Sequence, residues 1–135
     1  MVKMQAYYTG GLHCEVKHQP STSLIETDAP KDNMGKGERF SPTDLMGAAL
    51  SSCILTTMAI VGEREGIVLK GASAEVIKEM ITTPSRRVGA LNVKVTLSSK
   101  IPVDMREKLE RAAHSCPVKK SLHPDIEATI LFDYQ

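Results

Sequence analysis

Residues 41–61 read SPTDLMGAALSSCILTTMAIV, and the fold follows from how this stretch is interpreted. From Leu45 to Val61 there is no charge, small and hydroxyl-bearing residues crowd together, and one cysteine, Cys53, sits in the middle. Ser41-Pro42-Thr43-Asp44 has the chemistry of a helix start: a serine cap, proline at the first helical position and an acid three residues after the cap. The helix is expected to run to about Gly66, with GEREG as its polar end. Its apolar part is seventeen residues long, under the roughly 20 that a bilayer crossing needs, and its small and hydroxyl residues weaken insertion further. A buried central helix fits better. Because it has no polar face, it must be covered on all sides, by sheets or by a second subunit. Gly47, Ala48, Ser51 and Ser52 would admit another backbone closely, which favours a helix pair across a dimer.

Before the helix, QAYYTGGLHCEV (residues 5–16) reads as two short strands joined at Gly10-Gly11, a pair suited to the positive φ angles of a tight hairpin. TSLIETD is a third strand, and APKDNMGKGERF (29–40) is a loop or ordered arm. After the helix, ASAEVIKEMI and ALNVKVTLSS show strand periodicity, with Leu91, Val93, Val95 and Leu97 alternating with polar positions. TTPSRRVG is the turn between them. From Val103 a second helix places Met105, Leu109, Ala112, Ala113 and Cys116 on one stripe. HPD breaks the chain and IEATILFDY closes it as a strand. The order β-β-β-α-β-β-α-β describes an α+β fold in which antiparallel sheets pack around a long central helix. With 135 residues, a single domain over 1–135 is expected.

Composition narrows the function classes. Seventeen basic and sixteen acidic residues leave a formal charge of +1, so no field of one sign calls for nucleic acid or an anionic membrane. Tryptophan is absent and aromatics are 4%, which disfavours a base-stacking platform. MVKMQAYYTGG lacks the apolar run of a signal peptide, so the cytoplasm, where thiols stay reduced, is the expected compartment. Cys14, Cys53 and Cys116 are odd in number and form no CxxC, which argues against a disulfide framework and a structural zinc site. Buried cysteines often act as small hydrophobes; chemistry at the thiols is the competing reading.

FSPTDLMGAALSSC followed by AAHSCPVKKSL resembles the two signature segments of the OsmC/Ohr family, the osmotically inducible protein C and organic hydroperoxide resistance proteins. The likeness extends over essentially the whole chain. It implies a peroxiredoxin-like thiol peroxidase acting on organic hydroperoxides as an intertwined homodimer, with Cys53 as the peroxidatic thiol and Cys116 as the resolving one. It implies an external dithiol reductant and neither metal nor haem. The family's activating arginine often follows a Gly-Gly, where this chain has Leu12, and the helix-start glutamate is replaced by Thr43, with Asp44 beside it. Arg39, the first arginine in the chain, is then the candidate activator, with Asp44 or Glu38 orienting it; Arg86 and Arg87 are further candidates, more simply read as a cationic turn.

Other groups have plainer explanations. His13, Cys14 and His18 lack a clear third ligand on one strand face, so a metal site there is disfavoured. His114 reads as a surface histidine, and His123 and Asp125 as flanks of a proline turn. Met34, Met46, Met58, Met80 and Met105 either fill the core or line a pocket for an apolar peroxide. Two rival functions stay open: a non-catalytic module binding a small apolar ligand, and a thiol redox sensor.

Overall fold

A computed structural model describes residues 1–135. The chain forms two compact units, Met1–Met46 and Gly47–Gln135. The first is built on a three-stranded antiparallel sheet of β1 (Met4–Gly10), β2 (His13–His18) and β3 (Leu24–Asp28). Gly10 and Gly11 take φ of 88° and 63°, the left-handed values the tight hairpin demands. The arm after β3 contains a single 3₁₀ turn, Lys31–Asn33, and returns to the sheet through the Asp28 amide, which donates to the Phe40 carbonyl at 3.1 Å.

Helix α1 spans Pro42–Arg64. Its start is a reciprocal capping box: the Asp44 amide donates to Ser41 Oγ at 3.0 Å, and the Ser41 amide donates to Asp44 Oδ2 at 2.9 Å. Ser41 is nearly sealed from solvent, at 1% exposure. By length and composition α1 would also pass as a membrane span. It buries one stripe, Gly47, Leu50, Ile54, Met58 and Gly62, at the spacing of a helix packed on one side. Gly47 faces Val76 and Leu91, residues of the second sheet. The expectation that α1 is covered all round is therefore not met by one chain: Ala49, Ser52, Thr56 and Ile60 are exposed.

The second sheet has the order β4 (Ser73–Ile81), β5 (Arg87–Leu97), β6 (Ile130–Tyr134). Leu91, Val93, Val95 and Leu97 all point into the core with at most 2% exposure, as their alternation requires. β4 and β5 pair antiparallel, but β6 runs parallel to β5, with Val93 opposite Ile130. This sheet is mixed because the chain leaves β5, crosses through α2 (Val103–His114) and α3 (Pro117–Ser121), and re-enters in the same direction. α2 buries Leu109, Ala112 and Ala113. The α+β class and the expected order of elements stand, with α3 as the additional helix.

Candidate active site

The two helix-associated cysteines meet inside the second unit. Cys53 sits at mid-length on α1 and is half-buried. Its sulfur lies 3.9 Å from the hydroxyl of Thr57, one helical turn on. Cys116 is fully buried, and its thiol lies near enough to Cys53 for that sulfur to add to the rise in its pKa.

Cys116 is not on the stripe of α2, as its spacing suggests. α2 ends at His114, and Cys116 takes an extended conformation (φ −61°, ψ 139°) as the cap of α3. The following Pro117 accounts for this, because a residue before proline is pushed out of the helical region. In that position the Cys116 sulfur accepts from the Lys119 amide at 3.3 Å. Burial pushes the Cys116 thiol above its ordinary range; the Lys119 amide opposes that shift and the neighbouring Cys53 adds to it. The pair is therefore asymmetric, with one sulfur open to approach and the other sealed and held protonated at neutral pH.

The other expected site residues belong to the first unit. Arg39 is exposed; its Nε lies 3.2 Å from Glu26 Oε2 and its Nη1 donates to the Glu38 carbonyl at 3.0 Å. Asp44 closes the capping box at the start of α1. Cys14 is half-buried on β2.

A polar constellation on β2 and β3 escapes the sequence. His13 Nδ1 lies 2.5 Å from Asp28 Oδ1, and His13 Nε2 lies 3.3 Å from Glu26 Oε1. The Asp28 hydrogen bond raises the pKa of His13 and lowers that of Asp28. The histidine was visible in the sequence, but its partners depend on the β2–β3 register, which places Asp28 opposite His13 and Glu26 opposite Glu15. Cys14 and His18, its neighbours in sequence, are not part of it.

A cavity of about 600 Å³ lies elsewhere in the second unit, lined by Leu55, Ala59, Ile67, Val68 and Leu69 among others; neither cysteine borders it.

Comparison with known proteins identifies the cysteine-bearing fold. A family model described as OsmC-like protein matches residues 35–130. The chain belongs to the OsmC-like family. A structure from Psychrobacter arcticus 273-4, provisionally described as an osmotic stress induced and detoxification response protein, is 39% identical, with a TM-score of 0.92 over 98% of this chain and 96% of that one. An organic hydroperoxide resistance protein OsmC from Legionella pneumophila shares the fold at 17% identity and a TM-score of 0.80, over 98% of this chain and 96% of that one. One from Elizabethkingia anophelis does so at 19% and 0.76, over 100% and 96%. No curated protein matches the chain. OsmC-like membership accounts for the element order and for both cysteine segments.

Proposed function

We propose that this OsmC-like protein is a cytoplasmic thiol peroxidase that reduces organic hydroperoxides and returns to its starting state at the expense of an external dithiol. The observation that carries the reading is the proximity of a half-buried Cys53 to a fully buried Cys116 whose ionisation it influences. The Cys53 thiolate attacks the peroxide O–O bond; the alcohol leaves after taking a proton, and Cys53 becomes a sulfenic acid. The Cys116 sulfur then displaces water from that sulfenic acid to form a disulfide. A dithiol reduces the disulfide by two exchange steps and is itself oxidised. The hydroperoxide is thereby reduced by two electrons and the dithiol supplies them.

Thr57 offers a hydroxyl to the Cys53 sulfur. Asp44 is assigned as a positioning residue that fixes the start of the helix carrying Cys53, while Arg39, the candidate activating cation, is engaged by Glu26 and the Glu38 carbonyl in this structure. A homodimer is part of the proposal: the uncovered side of α1 and the exposed Tyr7, Tyr8, Leu24 and Ile25 of the first sheet are apolar surface that a second copy would cover.

The test is consumption of cumene hydroperoxide with dithiothreitol as reductant. Wild type turns over, Cys53→Ser falls to the uncatalysed rate, and Cys116→Ser accumulates a sulfenic acid at Cys53 that dimedone traps. Absence of turnover in reduced wild-type protein overturns the proposal. Arg39→Met with an unchanged rate of hydroperoxide consumption removes Arg39 from it. The apolar groove away from the cysteines favours a second reading, a binding module for a small apolar ligand. That reading calls for a Cys53 thiol unreactive toward peroxide in protein that still binds such a ligand.

A further inference from the structure

Strand alternation puts His13 and Glu15 on the same face of β2. Antiparallel register places Asp28 beside His13 and Glu26 beside Glu15 on that face. One ligating atom each from His13, Glu15 and Glu26 fall within 4.8 Å of one another. We propose that these three side chains form a binding site for a divalent first-row transition ion, with Asp28 and Arg39 holding the ligands in position.

The argument rests on how the ligands are oriented as well as on their nearness. Asp28 is buried, its carboxylate is fixed by the Glu38 amide at 3.1 Å, and it holds His13 Nδ1 at 2.5 Å. This fixes the imidazole with Nε2 directed toward the glutamates, the carboxylate–histidine arrangement that supports metal ligation. Glu26 is held similarly: Arg39 Nε takes Oε2 at 3.2 Å, which leaves Oε1 facing His13 Nε2 at 3.3 Å. Each of these ligands thus has its second atom restrained from outside the site. Glu15 and Glu26 also stand directly opposite across the strand pair, where like charges repel. A dication between them removes that repulsion, and two carboxylates with a neutral imidazole balance its charge.

One imidazole and two carboxylates suit Zn²⁺, Co²⁺, Mn²⁺ or Fe²⁺ and disfavour a soft ion that seeks thiolate. His13 and Glu26 side chains are 25% and 43% exposed, so an ion can enter. Three protein ligands leave coordination positions for water.

Co²⁺ is the probe, added to the reduced full-length chain at neutral pH. We expect one equivalent to bind with visible d–d bands and no sulfur-to-cobalt charge-transfer bands. His13→Ala and Glu15→Gln should abolish binding, Asp28→Asn should weaken it about 10–100-fold, and Cys53→Ser with Cys116→Ser should leave it unchanged. Glu15 is exposed on the sheet, so Glu15→Gln keeps the test decisive if a substitution at His13 unfolds the protein. No binding by submillimolar Co²⁺ overturns the proposal, as does binding indifferent to Glu15→Gln or binding that carries thiolate bands and vanishes with the cysteines. None of these outcomes depends on peroxidase activity.

Discussion

Ser41→Ala removes one half of the capping box at the head of α1. Ser41 Oγ is the acceptor for the Asp44 amide at 3.0 Å, and the serine is 1% exposed, so bulk water cannot readily replace it. Loss of a serine cap costs about 1 kcal/mol, within a range of about 0.5–2. For 135 residues the unfolding entropy converts 1 kcal/mol to roughly 3–4 °C in Tm. Asp44→Ala removes the reciprocal bond to the Ser41 amide and the favourable charge at the helix N-terminus, and should cost a similar amount. Since each substitution breaks the same box, the double variant should lose less than the sum of the two. The assay is far-ultraviolet circular dichroism against temperature, with Ser41→Thr as the variant that keeps the hydroxyl. A Ser41→Ala midpoint within about 1 °C of wild type, or strict additivity with Asp44→Ala, refutes the box as a stabilising device. Turnover measured on the same variants separates stability from chemistry: a loss of kcat in Asp44→Ala that Ser41→Ala does not share assigns Asp44 a part beyond the cap.

Two glycines of α1 should respond with opposite sign. A Cβ at Gly47 meets Val76 and Leu91 at 3.5–3.7 Å, ordinary contact, so Gly47→Ala should raise stability through helix propensity by about 0.5–1 kcal/mol. At Gly62 the added carbon lies 3.0 Å from the Ile67 carbonyl oxygen, so Gly62→Ala should lower the urea midpoint. Burial raises the Cys116 pKa from its ordinary value of 9.0, so above about pH 9 the unfolded chain loses this proton before the folded one. Stability present at neutral pH is then lost as pH rises through that window, and Cys116→Ala should flatten the alkaline limb of a urea-midpoint profile. Thr57→Val, which deletes the hydroxyl beside Cys53, should slow alkylation of Cys53 by iodoacetamide at a fixed neutral pH while Tm changes little.

Where a structural feature depends on nearest neighbours along the chain, it was legible. The Ser41–Asp44 cap, the Gly10-Gly11 hairpin and the inward row Leu91, Val93, Val95 and Leu97 each follow from spacing and turn chemistry. Helical spacing alone continues α2 past His114 and so puts Cys116 one element early, whereas Pro117 forces it out of the helix to cap α3. The parallel pairing of β6 was beyond reach, since direction is set by a crossover of more than thirty residues rather than by the strand's own composition. The His13 constellation was missed for a related reason: a one-residue slip between β2 and β3 would send Glu26 and Asp28 to the opposite face, and register is not written in either strand alone. For the candidate active site, the two thiols were legible through their flanking segments, whereas the carboxylate engaged by Arg39, Glu26, came only with the fold.

The sulfur of Cys116 lies beside its sister thiol and accepts from the amide of Lys119. A bond formed at that sulfur withdraws electron density from the lone pairs on which the first turn of α3 leans. On the proposed mechanism the short segment Pro117–Ser121 would then gauge the oxidation state of the thiols, and amide exchange at Lys119 would register each cycle without any substrate being followed.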